Sequence, residues 1–268
     1  MMSETPASAG ATTPPIAVFT DFDGTLVEIA DAPDAVSVAD ELRERLSQTI
    51  DACDQAFAVI TGREIDDVDR YLAPLHLPVA GAHGAQRRRA DGTLEEPDLA
   101  IVAAAREIAE TVIPLARSHN GLVVEAKHGA VALHYRLAPA LAEACRFAME
   151  QAVKAHEGFK LVAGKMVYEA RPLGTDKGTA LRAFMQEAPF SGRVPIFVGD
   201  DVTDEDGFRA AQELGGVGIK IGEGDTIARL RVADVAAAHN LISILGRIAA
   251  RKGTPTSVPS PARPRTDN

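Results

Sequence analysis

The sequence predicts an α/β fold: a parallel sheet covered by helices on both faces, interrupted near its middle by an α+β insert with its own antiparallel sheet. Three observations predict it. Short, wholly apolar runs alternate with helical patterns at both ends of the chain, as strands buried on both faces require. The middle changes to helix, hairpin, helix, hairpin, a rhythm of antiparallel pairing. Charge divides along the same line. The chain carries 28 Lys and Arg against 38 Asp and Glu, a net charge of −10, yet residues 103–173 hold nine basic residues, seven Glu and no Asp. The acidity therefore sits outside the insert.

In chain order, residues 1–14 are rich in Ala, Ser, Thr and Pro without periodicity and read as a disordered tail. Ile16–Phe19 is a buried strand, Ala39–Thr49 a helix with Leu42 and Leu46 on one face, and Ala56–Ile60 a second strand. Glu64–Leu72 is a helix and Pro78–Ala80 a third strand. Asp98–Ser118 is a long helix. Leu122–Ala126 and Ala130–Arg136 form a hairpin through Lys-His-Gly. Pro139–His156 is a helix, and Phe159–Val162 and Met166–Ala170 a second hairpin around Gly164-Lys165. The α/β rhythm then returns: helix Lys177–Gln186, strand Val194–Val198, helix Asp204–Gln212, strand Val217–Ile221 and a final helix Asn240–Ala250. The Pro- and Ser-rich stretch from 251 to 268 reads as a second disordered tail. The expected division is a core of 15–102 and 174–250 with an insert of 103–173.

At 268 residues the chain suits one large domain or a core with a smaller companion. With no Trp and few aromatics, the core is expected to rest on Ala, Val, Leu and Ile. Cys53 and Cys145 lie far apart in apolar surroundings, read as buried thiols, and fit a reducing cytoplasm. There is no apolar run long enough to span a membrane, and no basic segment followed by an apolar block at the N-terminus. The acidic balance argues against nucleic acid, and Arg87-Arg88-Arg89 is too short and isolated to reverse that.

Four places carry chemistry. The first is Phe19-Thr20-Asp21-Phe22-Asp23-Gly24-Thr25-Leu26, directly after the first strand. Carboxyl ends of parallel strands are where ligands sit. Two Asp two residues apart in extended chain face the same side, so one carboxylate can attack while its neighbour handles the proton. Phosphoryl transfer needs alignment and charge neutralisation more than basicity. The bland alternative is an Asp-Gly turn. The second is Val59-Ile60-Thr61-Gly62-Arg63, where a hydroxyl and exposed amides could hold phosphate oxygens; alternatively Thr61 merely caps the next helix. The third is Gly174-Thr175-Asp176-Lys177-Gly178. Lys177 could set a fixed positive charge among the carboxylates, or be an ordinary solvated lysine in a first turn, where the helix dipole disfavours it. The fourth is Gly199-Asp200-Asp201-Val202-Thr203-Asp204-Glu205 after an apolar strand. Four acids at a strand end repel one another unless a hard divalent cation joins them; the alternative is a helix start enriched in acids.

These four stations, in this order and spacing, resemble the haloacid dehalogenase superfamily of phosphatases over about 15–235. The resemblance implies a Rossmann-like three-layer core with an inserted cap. It implies that Asp21 forms an aspartyl-phosphate and that Asp23 serves as acid and then base, with its backbone carbonyl reaching the metal. It further implies that Thr61 and Lys177 hold the phosphoryl group. Asp200 would complete a Mg2+ site with Asp21 and Asp23, and Asp201 and Asp204 would support it. A narrower resemblance is to the trehalose-6-phosphate phosphatases. It rests on the stretch Asp23–Val36, on Ala80-Gly81-Ala82-His83-Gly84-Ala85-Gln86-Arg87-Arg88, and on Gly199–Glu205. The insert between Thr61 and Lys177 matches a C2-type cap. Gln86 departs from the family, where many members carry Glu.

The resemblance implies trehalose 6-phosphate as substrate; a cytoplasmic location, a monomer and a functional pairing with a trehalose-6-phosphate synthase are expected. Sugar recognition would lie in the cap. Glu125 and Lys127 share one strand face and Glu169 sits on the other hairpin; their alternative is a salt-bridged solvent face. His83 and Arg87 are expected at the rim, or else as loop caps. Two rival functions remain open at this stage. One is another C2-capped sugar-phosphate phosphatase of sucrose-phosphate or mannosyl-glycerate-phosphate type. The other is a non-catalytic sugar-phosphate sensor.

Overall fold

The structure, a computed structural model, describes residues 14–29 and 36–250. The two expected tails, apart from Pro14, and residues 30–35 of the quoted opening stretch lie outside the described residues.

Four elements open the chain: β1 (Ile16–Thr20), α1 (Asp40–Ala52), β2 (Phe57–Ile60) and α2 (Ile65–Leu72). Three strands follow, β3 (Val79–Gly81), β4 (Gln86–Arg88) and β5 (Leu94–Glu95). The insert contributes α3 (Leu99–Ser118), β6 (Val123–Lys127), β7 (Ala130–His134), α4 (Ala142–Lys154), β8 (Phe159–Gly164) and β9 (Val167–Pro172). The chain closes with α5 (Lys177–Phe184), β10 (Val194–Gly199), α6 (Glu205–Glu213), β11 (Val217–Ile221), β12 (Leu230–Val232) and α7 (Val235–Ala250).

One eight-stranded sheet runs β12-β11-β10-β1-β2-β3-β4-β5. The strands from β12 to β3 pair in parallel, while β4 and β5 add an antiparallel edge. Strand alternation builds three layers. Ile16 and Val18 of β1 face α1, α2 and α7 through Leu46, Val68 and Ile242. Ala17 and Phe19 face α5 and α6 through Leu181, Phe184 and Phe208. The second layer corrects the expected aliphatic core. Phe19, Phe184 and Phe190 pack with ring centroids 5.2–6.1 Å apart, and Phe197 meets Phe208 edge-on at 5.7 Å. Small strand residues on that face, Ala17, Ala58 and Ala80, leave room for the rings. Aromatics are few but concentrated.

The insert is a separate antiparallel sheet, β6-β7-β9-β8. Val131, Leu133 and Ala170 on one face pack under α3 and α4 with Ile108, Val112 and Met149. The other face carries Glu125, Lys127 and Glu169 toward the ends of the core strands. The expected division at 102/103 falls inside α3, whose first turn begins at Leu99 with Asp98 at the N-cap position.

Other boundaries shift for identifiable reasons. The last helix starts at Val235 rather than at 240, because Asp234 accepts the Ala237 N–H and the Ala-rich first turn shows no apolar periodicity. Pro139–Leu141 is a 3₁₀ turn before α4. The β4–β5 edge is charged and short, so it gave no strand signal. Cys53 and Cys145 are both buried. No helix among the described residues is long and apolar enough to cross a membrane.

Candidate active site

β1 lies between β10 and β2, and the chain runs outward from it in both directions. This is a topological switch point, where loops at the carboxyl ends part and leave a crevice. Asp21, Thr61 and Asp200 follow directly on β1, β2 and β10. The ladder carries on into the loops, since the Asp21 N–H donates to the Val198 carbonyl at 2.9 Å and the Thr61 N–H to that of Ala80 at 2.9 Å. Phe22 is fully buried on the opposite side, so Asp21 and Asp23 both face the crevice. Gly24 turns the chain away with φ of +72°. A Cβ there would overlap the Asp200 carboxylate, so this glycine is required twice over, by conformation and by space.

Lys177 is the electrostatic centre of the site. Its Nζ lies 2.8 Å from Asp21 Oδ2 and 2.6 Å from Asp204 Oδ1, and all three residues are buried. Burial works against the lysine's charge, but Asp204 and Asp21 more than offset it and raise its pKa. It is therefore a fixed cation, set in the first turn of α5 behind a capping box of Asp176 and Thr179. Both oxygens of Asp204 are committed: Oδ1 to Lys177 and Oδ2 to the Asp201 N–H at 2.8 Å. Asp201 in turn accepts the Val202 N–H. Asp204 thus neither caps α6 nor opens to solvent; it anchors Lys177.

Lys177, with Lys220 on the Asp200 backbone carbonyl, does not balance three carboxylates. Burial, with Asp204 and Asp200 nearby, holds the Asp21 carboxyl well above its usual range despite Lys177. Burial and Asp204 push Asp200 up to about 7. Ligand oxygens of Asp21, Asp200 and Asp204 lie within 4.8 Å of one another, and no ion pair to Asp200 occurs among the described residues. A crowded, under-neutralised set of hard oxygen donors beside a crevice suits a hard divalent cation. With Asp204 occupied, Asp21 and Asp200 are the side chains available to hold it.

The crevice is a cavity of about 210 Å³. Its core wall includes Asp21, Asp23, Thr61, His83, Lys177 and Asp200, with Asp201 at its edge. Thr61 is buried and does not cap α2, which begins at Ile65 behind Glu64; its Oγ1 accepts the Arg63 N–H at 3.2 Å. The cap wall is a row set by strand register. Glu125 and Glu169 flank Ala132 on the three adjacent strands, and the small alanine leaves space between two carboxylates. The Lys127 side chain is 7% exposed; its Nζ lies 3.2 Å from Glu169 and 3.7 Å from Glu125 and donates to the Gly62 carbonyl at 2.9 Å. Burial opposes its charge and the two glutamates raise its pKa. His134 Nε2 lies 2.8 Å from Glu125 Oε2; that bond and Lys127 outweigh burial and lower the Glu125 pKa.

His83 is buried in a left-handed conformation with φ of 56°. Burial, with Arg171 and Lys177 nearby, drives its pKa down to about 3 against the pull of Glu169. Its ring is neutral, and Nε2 accepts from Arg171 at 2.7 Å. Arg171 also pairs with Glu169. His83 is therefore a buried joint between core and cap, not a rim residue. Arg87 corrects the expectation more strongly. It does not line the crevice; it pairs with Glu95 and Glu187 and lies over the Phe184 ring, on the antiparallel edge. The crevice also includes residues the sequence reading did not single out: Arg63, His134, Arg136, Lys165 and Thr203. His134 shares its strand parity with Ala132, a signal legible only once the β6–β7 register is known.

Comparison with known proteins follows the same lines. The family model described as trehalose-phosphatase matches residues 19–236. The trehalose-6-phosphate phosphatase of Escherichia coli (strain K12) is 43% identical over 220 residues, covering 81% of each chain. The probable trehalose-phosphate phosphatase of Sinorhizobium fredii is 41% identical over 207 residues, covering 77% of each. A crystal structure described as a trehalose-6-phosphate phosphatase related protein superposes with a TM-score of 0.75 at 28% identity, over 88% of this chain and 99% of that one.

Proposed function

Since the chain belongs to the trehalose-phosphatase family, we propose that it hydrolyses trehalose 6-phosphate to trehalose and phosphate through an aspartyl-phosphate on Asp21, with Mg2+ as cofactor. The observation that carries this reading is the Asp21–Lys177–Asp204 chain at the strand ends, opening onto one cavity with the cap row of Glu125, Lys127 and Glu169.

The phosphate sits at the ends of β1, β2 and β10, and the sugar rings face the cap. An Asp21 carboxylate oxygen attacks phosphorus as the bond from phosphorus to sugar O6 breaks, and Asp23 gives O6 its proton. In the second half, water attacks phosphorus, Asp23 takes its proton, and the Asp21 carboxylate leaves. Lys177 stays charged beside Asp21 throughout and meets the negative charge of the transferring group, while Thr61 offers its hydroxyl to a phosphoryl oxygen. Mg2+ would be held by Asp21 and Asp200; when bound, it supplies positive charge to the phosphoryl oxygens and returns the neighbouring carboxyls to their ionised forms. The cap excludes water from the crevice, which strengthens each of these interactions. Disaccharide hydroxyls need paired donors and acceptors, and Lys127 with Glu125 and Glu169 offers both. The buried thiols of Cys53 and Cys145 support a reducing, cytoplasmic setting.

Phosphate release from trehalose 6-phosphate, sucrose 6-phosphate and glucose 6-phosphate, with and without EDTA, tests the reading. The trehalose ester is expected to be fastest and EDTA to abolish release. Asp21→Asn is expected to be inactive yet folded. Equal rates on all three esters would overturn the substrate assignment. Ligand-induced thermal stabilisation without phosphate release would favour the sensor instead.

A further inference from the structure

The carboxylate assigned to proton transfer is already occupied. Arg63 Nε donates to Asp23 Oδ2 at 2.7 Å and Nη2 to Oδ1 at 2.8 Å, so the guanidinium grips both oxygens at once. Such a fork fixes orientation as well as charge. The guanidinium is itself held. It lies over the rings of Phe22 at 5.4 Å and Tyr71 at 5.1 Å, and those two rings touch each other at 5.9 Å. The Arg63 side chain is 10% exposed, against 36% for Asp23. The rigid partner of this pair is therefore the arginine, braced by the residue between the two aspartates and by α2.

A carboxylate gripped at both oxygens by a braced guanidinium has its direction set before substrate arrives. Resting on the phosphatase reading above, we infer that Arg63 is a positioning residue for Asp23: it holds the carboxylate in line with sugar O6 in the first half of the reaction and with the attacking water in the second. Arg63 then acts on the reaction through Asp23 and not through the phosphoryl group, which Lys177 and Thr61 face.

The test compares an alkyl ester, which needs a proton on its leaving oxygen, with 4-nitrophenyl phosphate, whose leaving group departs without one. In Arg63→Gln, turnover of trehalose 6-phosphate should fall about a hundredfold, the size expected of a misplaced catalytic group. The nitrophenolate burst of the first half should stay within about threefold of wild type, followed by slow steady release. In the Asp23→Asn background, adding Arg63→Gln should cost less than about threefold more, because the residue it acts through is gone. Arg63→Lys keeps the charge without the fork and should remain slow; it carries the same test should Arg63→Gln fail to fold. Equal loss of burst and turnover, or a full further loss in the Asp23→Asn background, would overturn the inference while leaving the phosphatase reading intact. A wild type that releases phosphate from neither ester would remove both.

Discussion

Lys177 shows how a residue's environment decides its role. In the sequence it is a lysine in an unfavourable first turn; in the fold it is fully buried between Asp21 and Asp204. Lys177→Met would leave two buried carboxylates without their cation. Breaking one partner of a buried pair costs about 3–5 kcal/mol, so a loss of that size in urea unfolding is expected together with loss of activity; a cost below about 1 kcal/mol would contradict the assignment. His83 offers a pH test at the same scale. Its folded pKa of about 3 lies below its ordinary 6.5. The unfolded chain therefore binds the extra proton first, and stability present above pH 6.5 is lost as pH falls toward 3. Wild type should lose urea midpoint between pH 7 and pH 5 more steeply than His83→Asn, a substitution that also tolerates the left-handed backbone. Parallel slopes would show that His83 is not the group responsible.

At the scale of elements, the strand ends do the positioning. Gly24 lets β1 exit against the Asp200 carboxylate, so Gly24→Ala should displace the metal ligand while the sheet stays intact. A ten- to hundredfold rise in the Mg2+ concentration needed for half activity is expected, the effect typical of disturbing what orients a ligand; an unchanged requirement would mean that the close approach is incidental. Legibility also divides by element. The parallel strands were readable because each is a short apolar run ending in a chemical motif, and Val217–Ile221 matches its expected range. The β4–β5 edge was not, because Gln86-Arg87-Arg88 is stabilised by ion pairs with Glu95, Glu187 and Asp69 rather than by an apolar face. Arg87 was misread for a related reason: Glu95 faces it across a strand pair that gave no signal, and Glu187 lies 100 residues along the chain, brought near only by the fold. The Arg63–Asp23 fork spans 40 residues and carries no local signal, whereas Lys177 and Asp200 stood in spaced motifs.

At the scale of the whole molecule, the two sheets divide the work. The core sheet gathers carboxylates and two buried lysines, Lys177 and Lys220, around its strand ends. The antiparallel sheet presents a polar row across the crevice and is tied to the core by Lys127 on the Gly62 carbonyl and by the His128 N–H on Glu64, 2.6 Å away. Sequence periodicity located both sheets, and the charge asymmetry between them follows this division. What it could not supply is how the sheets face each other, which decides that His83 is a joint and that His134 reaches the crevice. Turnover as proposed depends on Asp21 carrying the phosphoryl group between substrate and water. Its most direct test is rapid acid quench during turnover of trehalose 6-phosphate, followed by mass spectrometry of the peptide containing Asp21. A transient phosphoryl group on Asp21 is expected, decaying as free phosphate appears and absent in Asp21→Asn. Phosphate released with no labelled peptide at any time, or with the label on another residue, would contradict it.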